Sequence, residues 1–535
     1  MFTVETPLGP VELEVEALDL PPTFPIILPI CRALGIVEIV DRLCPMHHQG
    51  PLTHGQVLEM LVLHILQDPD RKPLYKLQEW AADHHVNQLY DCDPEAFNDD
   101  RVGRALEAFA EQIPAIEAEI VTRALEGFNV PIDAIHWDLT HVTFTGAYED
   151  FSDVGPGYGD GQMHEKQLQI SLHATHEGGI PLRHEVLAGS AAQAPLVPPM
   201  LADLRRRLPP SKLLIVSDCS GISYDNIVTY NQADACFLGP MEVTPAEQQF
   251  VADLSAEAFV PLSYQSKNNP DCVYSCHDTT LTVKRQKRPQ PLTVRALVIH
   301  STSRQQRDAR LRQKAVDKAL KRLQQIAGYL NKARYAHESF AREQLAKAVP
   351  QGLVGIVHHE LTGSYKQMQL RSWVDEEALA AAGPADGRWL LVTNDGERSA
   401  DELFKIQRGQ YDLEARFRNL GHDLAVHPVW LHKETRIRGL MQAFIIALTV
   451  YCLLELCSVR AKLEGDHYPK MTARQLLYHF SSAKIVRVRT PGYPPRTQLV
   501  LSLDQKHILN QLGFPDPTQY VLSPLTNARD APPPR

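Results

Sequence analysis

The hydrophobic pattern of residues 1–128 predicts a series of amphipathic helices. Apolar residues recur at helical spacing from residue 24 onward, for example between Ile36 and Leu43. Thr53 and Gln56 have the spacing of a capping box, which predicts that a helix begins at residue 54. One helix is expected from Leu74 to Leu89. Asn98 is expected to cap another helix, and a last helix should begin just after Pro114. We therefore expect an all-helical N-terminal domain that serves either dimerisation or binding of DNA ends.

From residue 131 the pattern changes to short strands. Pro131–Phe144 is rich in branched and aromatic residues, Lys166–Thr175 alternates apolar and polar positions, and Pro181–Leu187 follows a Gly-Gly turn as a hairpin partner. Apolar runs at Leu213–Ser217 and Ala235–Gly239 are each preceded by a helical pattern. Three strands, helix, strand, helix, strand is the ribonuclease H-like order. It predicts an α+β or mixed-sheet core.

Residues 241–385 interrupt this core and contain a basic helical stretch from Arg307 to Val349. Between Lys284 and Lys347 there are seventeen Lys or Arg residues and four acidic ones, whereas the chain as a whole carries a net charge of -10. Four of the basic residues recur at three- and four-residue spacing: Lys314, Lys318, Lys321 and Arg322. One helix face could therefore follow a phosphate backbone, and the alternative is an ordinary solvated face.

A final strand is predicted at Arg388–Thr393, followed by a helix from Asp401 to Asn419. Arg436 to Leu463 reads as a buried helix, because its apolar part is too short to span a membrane. The predicted domains are an N-terminal helical domain (1–128), the first part of the core (129–240), an insertion domain (241–385), the second part of the core (386–465) and a C-terminal helix–hairpin–helix segment with a disordered tail (466–535).

Composition narrows the class of protein. A chain of 535 residues with 44% hydrophobic content is a globular protein of three or four domains. Nine cysteines without a regular framework suggest reduced thiols, and the first residues lack the features of a signal peptide, so we expect a cytoplasmic protein. Cys272, Cys276 and His277 lack a second ligand pair at useful spacing, which argues against zinc.

Three acidic residues are candidates for a metal-binding catalytic site. Asp138 and Asp218 each lie at the end of a predicted strand, and in the predicted order these two strands are neighbours. Glu414 lies on the predicted helix that follows the last strand. Carboxylate oxygens suit Mg²⁺ or Mn²⁺, and acids that lie close together repel until a metal ion neutralises them. We therefore predict a site for two hard cations.

The motifs around these acids resemble those of DDE transposases from bacterial insertion sequences. They are Trp137-Asp138-Leu-Thr140, Val216-Ser-Asp218, Asp386-Gly387, Leu413-Glu414-Ala-Arg-Phe417-Arg418 and Arg436-Ile437-Arg438-Gly439. The resemblance implies a cut-and-paste enzyme with a ribonuclease H-like core and an insertion domain. Such an enzyme binds two Mg²⁺ or Mn²⁺ ions and acts on the terminal inverted repeats of its own element and on target DNA. It is expected to assemble on the DNA ends as a homo-oligomer, namely a dimer.

The resemblance implies that Asp138 and Asp218 bridge one ion and that Asp138 and Glu414 hold the other. A Tyr, Arg, Glu, Lys signature surrounds the last acid. Here the corresponding positions hold other residues, namely Gln407 for tyrosine, Gln410 for arginine and Gly421 for lysine, and Leu440 replaces a histidine. Nearby polar residues can compensate in part and are expected to contact DNA: Arg408, Tyr411, Arg418 and His422.

Two alternatives stay open. A ribonuclease H-like nuclease could cut DNA without strand transfer, and a transposase-derived protein could bind DNA without cutting it. The altered signature around Glu414 supports the second alternative. No membrane partner is expected.

Overall fold

The structure is a computed structural model, and it describes residues 2–7, 9–18, 24–46, 50–67, 73–144, 153–156, 166–207, 213–266, 269–288, 290–410, 414, 431, 433–461, 471–490, 492, 496–514 and 516–517. It divides into two compact units. The first unit comprises residues 1–216 and 408–535, and the second comprises residues 217–407. The fold is mixed α/β.

The first unit begins with two antiparallel strands, β1 (Phe2–Thr6) and β2 (Gly9–Leu18). Residues 1–128 were predicted to be all-helical, and the strands β1 and β2 show that this prediction is wrong. Val11, Leu13 and Val15 alternate with glutamates in β2, which is the two-residue period of a strand. The neighbour of β2 lies at the other end of the chain, as described below.

The helices that follow are α1 (Phe24–Leu34), α2 (Ile36–Leu43), α3 (His54–Ile65), α4 (Leu77–Asp83) and α5 (Asp99–Gly127). The predicted capping box is confirmed, since the Thr53 hydroxyl accepts from the backbone N–H of Gln56 and the Gln56 side chain accepts from the N–H of Thr53. Asn98 caps α5 as predicted.

Two helix predictions in this region are wrong. The helix expected from Leu74 to Leu89 is broken into short pieces, because His85 adopts a left-handed backbone with φ of 52°. Conversely, α5 continues through Pro114 as one helix of 29 residues. Proline inside a helix costs about 3 kcal/mol, and here both halves of the helix bury apolar side chains that offset this cost.

The core strands of the first unit are β3 (Ala134–Phe144), β4 (Gly155–Pro156), β5 (Lys166–Thr175), β6 (Pro181–Ala188) and β7 (Leu214–Val216), with helix α6 at Val197–Arg207. β3 is antiparallel to β5 and parallel to β7, and β6 pairs with the far edge of β5. The prediction that β3 and β7 are neighbours is confirmed. The prediction that Asp138 ends its strand is wrong, because β3 continues through Asp138 to Phe144.

The second unit contains α7 (Tyr224–Gln232), β8 (Cys236–Pro240), α8 (Pro245–Asp253), β9 (Val260–Pro261), β10 (Tyr274–Val283), β11 (Leu292–Ser301), α9 (Thr302–Tyr329), α10 (Glu338–Ala348), β12 (Val357–Thr362), β13 (Gln369–Val374), α11 (Glu376–Ala381), β14 (Arg388–Thr393) and α12 (Ala400–Arg408). Its sheet has the order β8-β14-β11-β10-β9 and is antiparallel. β12 and β13 form a separate hairpin that the sequence did not predict.

The basic helical stretch expected from Arg307 to Val349 is two helices, α9 and α10, separated at residues 330–337. Asn331 and Ala333 have positive φ values of 67° and 43°, so the helix cannot continue there. Both helices pack their apolar faces against the β12–β13 hairpin in one hydrophobic cluster.

The chain returns to the first unit with α13 (Glu434–Arg460), α14 (Ala473–His479), β15 (Lys484–Arg489), β16 (Arg496–Val500) and α15 (Leu503–Gln511). β15 pairs with both β16 and β2, which completes a four-stranded sheet from the two ends of the chain. The predicted C-terminal helix, hairpin and helix are confirmed.

Helix α13 lies at the centre of the first unit. It packs against α5, α3, α1 and β6. A Cβ added at Gly439 would lie 2.0 Å from the carbonyl oxygen of Leu106, so glycine permits this close approach to α5. Among the described helices α13 alone is long and apolar enough to cross a membrane by length and composition, and 89% of its apolar window is buried inside the protein. The predicted burial of this helix is confirmed, whereas the reason given for it is wrong, because its apolar part is long enough to span a membrane.

Candidate functional site

Asp138 lies on β3, in the first unit, and is half-buried. Its Oδ1 atom accepts a hydrogen bond from the backbone N–H of Leu139 at 2.8 Å. The preceding residue, Trp137, is fully buried; its ring stacks on His173 at 5.6 Å and its Nε1 donates to Ser171 Oγ at 2.9 Å. These contacts hold the strand firmly at the residue before the aspartate.

Asp218 belongs to the second unit and is also half-buried. It caps the short 3-10 turn Cys219–Gly221, and its Oδ1 accepts from the backbone N–H groups of Ser220 at 3.1 Å and Gly221 at 3.2 Å. The Ser220 hydroxyl donates to the same carboxylate at 2.8 Å. These donors orient the carboxylate. A helix cap alone would also use an aspartate in this way.

The register of β3 and β7 relates the two aspartates. The parallel pairs are Ala134 with Leu214, Ile135 with Ile215, and His136 with Val216. Asp138 follows His136 by two residues, and Asp218 follows Val216 by two residues. Both acids therefore stand two residues past the last β3–β7 pair. Asp138 lies inside β3, where it pairs with Leu172, and not at the strand end as predicted, whereas Asp218 follows the end of β7.

Glu414, the third predicted acid, is helical and exposed. Its sequence neighbours at 411–413 and 415–430 lie outside the described residues. Predictions made for Tyr411, Arg418, Gly421 and His422 therefore have no structural counterpart, and the same holds for the tail at 531–534. Arg408 ends α12 and is half-buried.

A buried polar cluster next to Asp138 was not foreseen from the sequence. His136 is 2% exposed and Gln410 is 9% exposed. Gln410 Oε1 lies 2.9 Å from His136 Nδ1, and Gln410 Nε2 donates to the carbonyl oxygen of Trp137 at 3.3 Å. On its other side, His136 Nε2 lies 3.0 Å from His176 Nδ1. Burial lowers the pKa of His136 to about 4, so this imidazole is neutral near pH 7.

Two arginines of the Arg-Ile-Arg-Gly motif are used within the first unit. Arg436 Nε donates to Glu107 Oε1 at 2.7 Å, which ties α13 to α5. Arg438 donates to Asp153 Oδ2 at 2.6 Å and to Glu434 Oε1 at 2.8 Å. The motif therefore contributes ion pairs between elements of the first unit.

The basic face of α9 is exposed in the second unit. Val316, Ala319, Leu323 and Ile326 are buried on one side of the helix. The four predicted DNA-contacting residues are all exposed: Lys314, Lys318, Lys321 and Arg322. At 100° per residue, the three lysines lie on the side opposite the buried stripe. In the part of the chain that the structure describes, none of these lysines has an ion-pair partner.

An ion pair between Arg312 and Asp386 anchors the first half of α9. Arg312 donates from both terminal nitrogens to the carboxylate of Asp386, which is 8% exposed. Asp386 belongs to the Asp-Gly motif, and Gly387 beside it has a φ of 75° and donates its N–H to Asp308 at 3.1 Å. The motif residues therefore connect α9 to the start of β14.

Within the described residues, no group of three or more His, Cys, Asp or Glu side chains is placed to hold a metal ion. The nine cysteines are free thiols. Cys272 Sγ lies 3.2 Å from Ser301 Oγ, and Cys276 is buried with a pKa raised by desolvation to about 12.

Comparisons with known proteins give limited matches. A family model described as a domain of unknown function, DUF4277, matches residues 15–121. None of the curated proteins matches the sequence. Among solved structures, the chain is similar to a piggyBac transposase synaptic complex with hairpin DNA, determined by cryo-EM, with 9% identity and a TM-score of 0.38 over 86% of this chain and 79% of that one. It is also similar to a Mos1 transposase paired-end complex with the left transposon end, with 13% identity and a TM-score of 0.14 over 35% of this chain and 59% of that one.

Proposed function

We propose that the chain is a DNA transposase of the Asp–Asp–Glu type with a ribonuclease H-like core. The observation that carries the proposal is the register of β3 and β7. Asp138 and Asp218 each follow the last β3–β7 pair by two residues, and we propose that both carboxylates are metal ligands. Asp138 and Asp218 have that equal offset, and the strand order around them follows the sequence prediction.

The donor set fits Mg²⁺ or Mn²⁺. Asp138, Asp218 and Glu414 supply only carboxylate oxygens, which are the ligands that hard cations prefer. Asp138 and Asp218 are half-buried and are oriented by backbone N–H groups, so they keep their direction without a metal. We assign these three residues as the ligands of two ions.

Two ions bound there would supply Lewis-acid activation for in-line displacement at a phosphodiester. The protein's own residues have simpler roles. Backbone N–H groups orient the carboxylate of Asp218, and the buried Trp137 holds the backbone that presents Asp138. No side chain needs to form a covalent intermediate with DNA, so an activated nucleophile is not required.

The partner in this proposal is DNA, namely the terminal inverted repeats of the element and the target. The exposed lysines of α9 would neutralise backbone phosphates. Arg408, Tyr411 and Arg418 would contact DNA beside the cut. We further propose that the protein acts in a prokaryotic cytoplasm as a homo-oligomer, in the simplest case a dimer that holds two ends. The two transposase complexes similar to this chain contain hairpin DNA and a transposon end, respectively.

A second candidate function is DNA binding without cleavage. It is favoured by Gln410, which stands at the arginine position of the signature but is buried against His136. Glu414 is exposed, and the described residues contain no group of three or more His, Cys, Asp or Glu side chains placed to hold a metal ion. A nuclease without strand transfer is a further outcome that the same experiment separates.

The test uses the purified protein and a DNA fragment that carries the inverted repeats flanking its gene. Cleavage at the repeat ends with Mg²⁺ or Mn²⁺, lost in Glu414→Gln, supports the transposase. Joining of the cut ends to a target plasmid separates transposition from simple nuclease activity. Binding without cleavage by the wild type would refute the catalytic proposal in favour of DNA binding alone.

A further inference from the structure

One buried amide contacts two consecutive residues of the strand that carries Asp138. Gln410 Nε2 donates to the carbonyl oxygen of Trp137 at 3.3 Å, and Gln410 Oε1 lies 2.9 Å from His136 Nδ1. A carbonyl oxygen only accepts, so the amide nitrogen must face it and the amide oxygen must face the imidazole. His136 therefore donates from Nδ1. The amide orientation is determined by both partners at once.

The cluster continues on the far side of His136. Its Nε2 lies 3.0 Å from His176 Nδ1, and the backbone N–H of His176 donates to the carbonyl oxygen of Ala134 at 3.0 Å. Gly409 lies against both rings. A Cβ at Gly409 would come within 2.7 Å of His176 Nδ1 and 2.9 Å of His136 Nε2. The contact of residues 409–410 with β3 thus depends on a glycine and an amide in sequence.

Resting on the function proposed above, we infer that Gln410 is a positioning residue that aligns the strand bearing Asp138 with the helical segment bearing Glu414. All three residues belong to the first unit. Gln410 and Glu414 are both helical and stand four residues apart. Gln410 stands at the arginine position of the Tyr, Arg, Glu, Lys signature. Because the Gln410 side chain is buried, it contacts other residues of the protein and not DNA.

Residues that orient metal ligands typically change metal affinity or activity by about 10- to 100-fold when they are replaced. Gln410→Met keeps the length of the side chain and removes both hydrogen bonds. Gln410→Glu keeps an acceptor for His136 but has no donor for the Trp137 carbonyl. The matched control is Gln505→Met, since Gln505 is 1% exposed and donates to a backbone carbonyl and to a serine hydroxyl at 3.0 Å in the C-terminal segment.

The experiment uses the full-length protein and two readouts. Mn²⁺ binding is measured from the electron paramagnetic resonance signal of free Mn²⁺, without DNA. Hydrogen exchange of β3 and of the peptide that contains Gln410 and Glu414 is measured without metal. Gln410→Met should weaken Mn²⁺ binding by about 10-fold or more and speed exchange in both segments. Gln410→Glu should fall between it and the wild type. Gln505→Met should match the wild type in both readouts.

Gly409→Ala provides a second variant for the case in which Gln410→Met does not fold, and it should show the same two effects. Faster exchange with unchanged Mn²⁺ binding would overturn the inference, because the amide would then be a structural bond only. Unchanged exchange and unchanged binding would overturn it as well. If the Asp138→Asn variant binds Mn²⁺ as tightly as the wild type does, the proposed function itself fails. This result differs from failure of the Gln410 inference alone, in which Asp138→Asn weakens Mn²⁺ binding and Gln410→Met does not.

Discussion

The exposed lysines of α9 allow a quantitative prediction about DNA binding. Lys314, Lys318 and Lys321 lie within eight residues, so the first and last are about 10 Å apart along the helix at 1.5 Å per residue. All three are exposed and lie opposite the buried stripe. Each phosphate contact contributes about 0.9 to the slope of log K against log salt. Replacing all three by glutamine should therefore lower that slope by about 2.7.

The measurable consequence is a change in salt sensitivity. Between 50 and 200 mM salt, wild-type affinity should fall about 40-fold more than that of the triple variant. The assay is fluorescence anisotropy on a labelled duplex over that salt range. Folding should be little affected, because lysine and glutamine have similar helix propensities and exposed substitutions change stability by about 0.5 kcal/mol or less.

The matched control removes two other exposed cations of the second unit. Arg342 and Lys347 on α10 are each paired within one helical turn, with Glu338 at 2.8 Å and Glu343 at 2.5 Å. Replacing both by glutamine should leave the slope unchanged. An equal drop in the control, or an unchanged slope in the triple variant, would show that the face of α9 is an ordinary solvated surface.

Three further predictions concern catalysis, packing and pH. Asp218→Ala should abolish cleavage in the repeat-end assay while end binding persists, with a loss of about 1 kcal/mol in urea unfolding from the lost cap; equal loss of binding would contradict a metal-ligand role. Gly439→Ala should destabilise the protein by about 1–3 kcal/mol because α13 and α5 must separate. Gly127→Ala, with open space around it, should be neutral or stabilising by up to about 1 kcal/mol. Hydrogen bonds from Lys433 and Arg436 hold the pKa of Glu107 below its usual value. Its contribution to stability is therefore present above the unfolded pKa and is lost as pH falls through the folded one. Glu107→Gln should thus lose less stability than the wild type in unfolding curves below about pH 4.5, and parallel curves would refute this assignment.

Local signals in the sequence were enough where a structure is decided within a few residues. The capping box at Thr53 and Gln56 and the cap at Asn98 act over three residues, and both are found as predicted. The strand pattern around Asp138 and the apolar run of α13 are likewise signals carried by one segment of the chain. The parallel pairing of β3 and β7 followed from the order of elements, because few topologies satisfy that order.

Other features depended on partners far away in the chain. Proline at position 114 is a sound local reason to end a helix, yet α5 continues because its two halves pack in one core. The alternation in β2 was visible, but its neighbour β15 lies at the opposite end of the chain. Asn331 and Ala333 adopt positive φ values and separate the two basic helices, and no local sequence motif predicted this break.

The sequence by itself determined the types of most elements, the basic face of α9 and the three acids as candidates. Only the tertiary structure decided that Gln410 is buried against His136, a contact between residues 274 positions apart. Hydrogen bonds of buried groups are set by whichever donors and acceptors the fold brings together. A pattern read along one segment contains no information about a partner that arrives from another, and for that reason the environment of Asp138 became visible only in three dimensions.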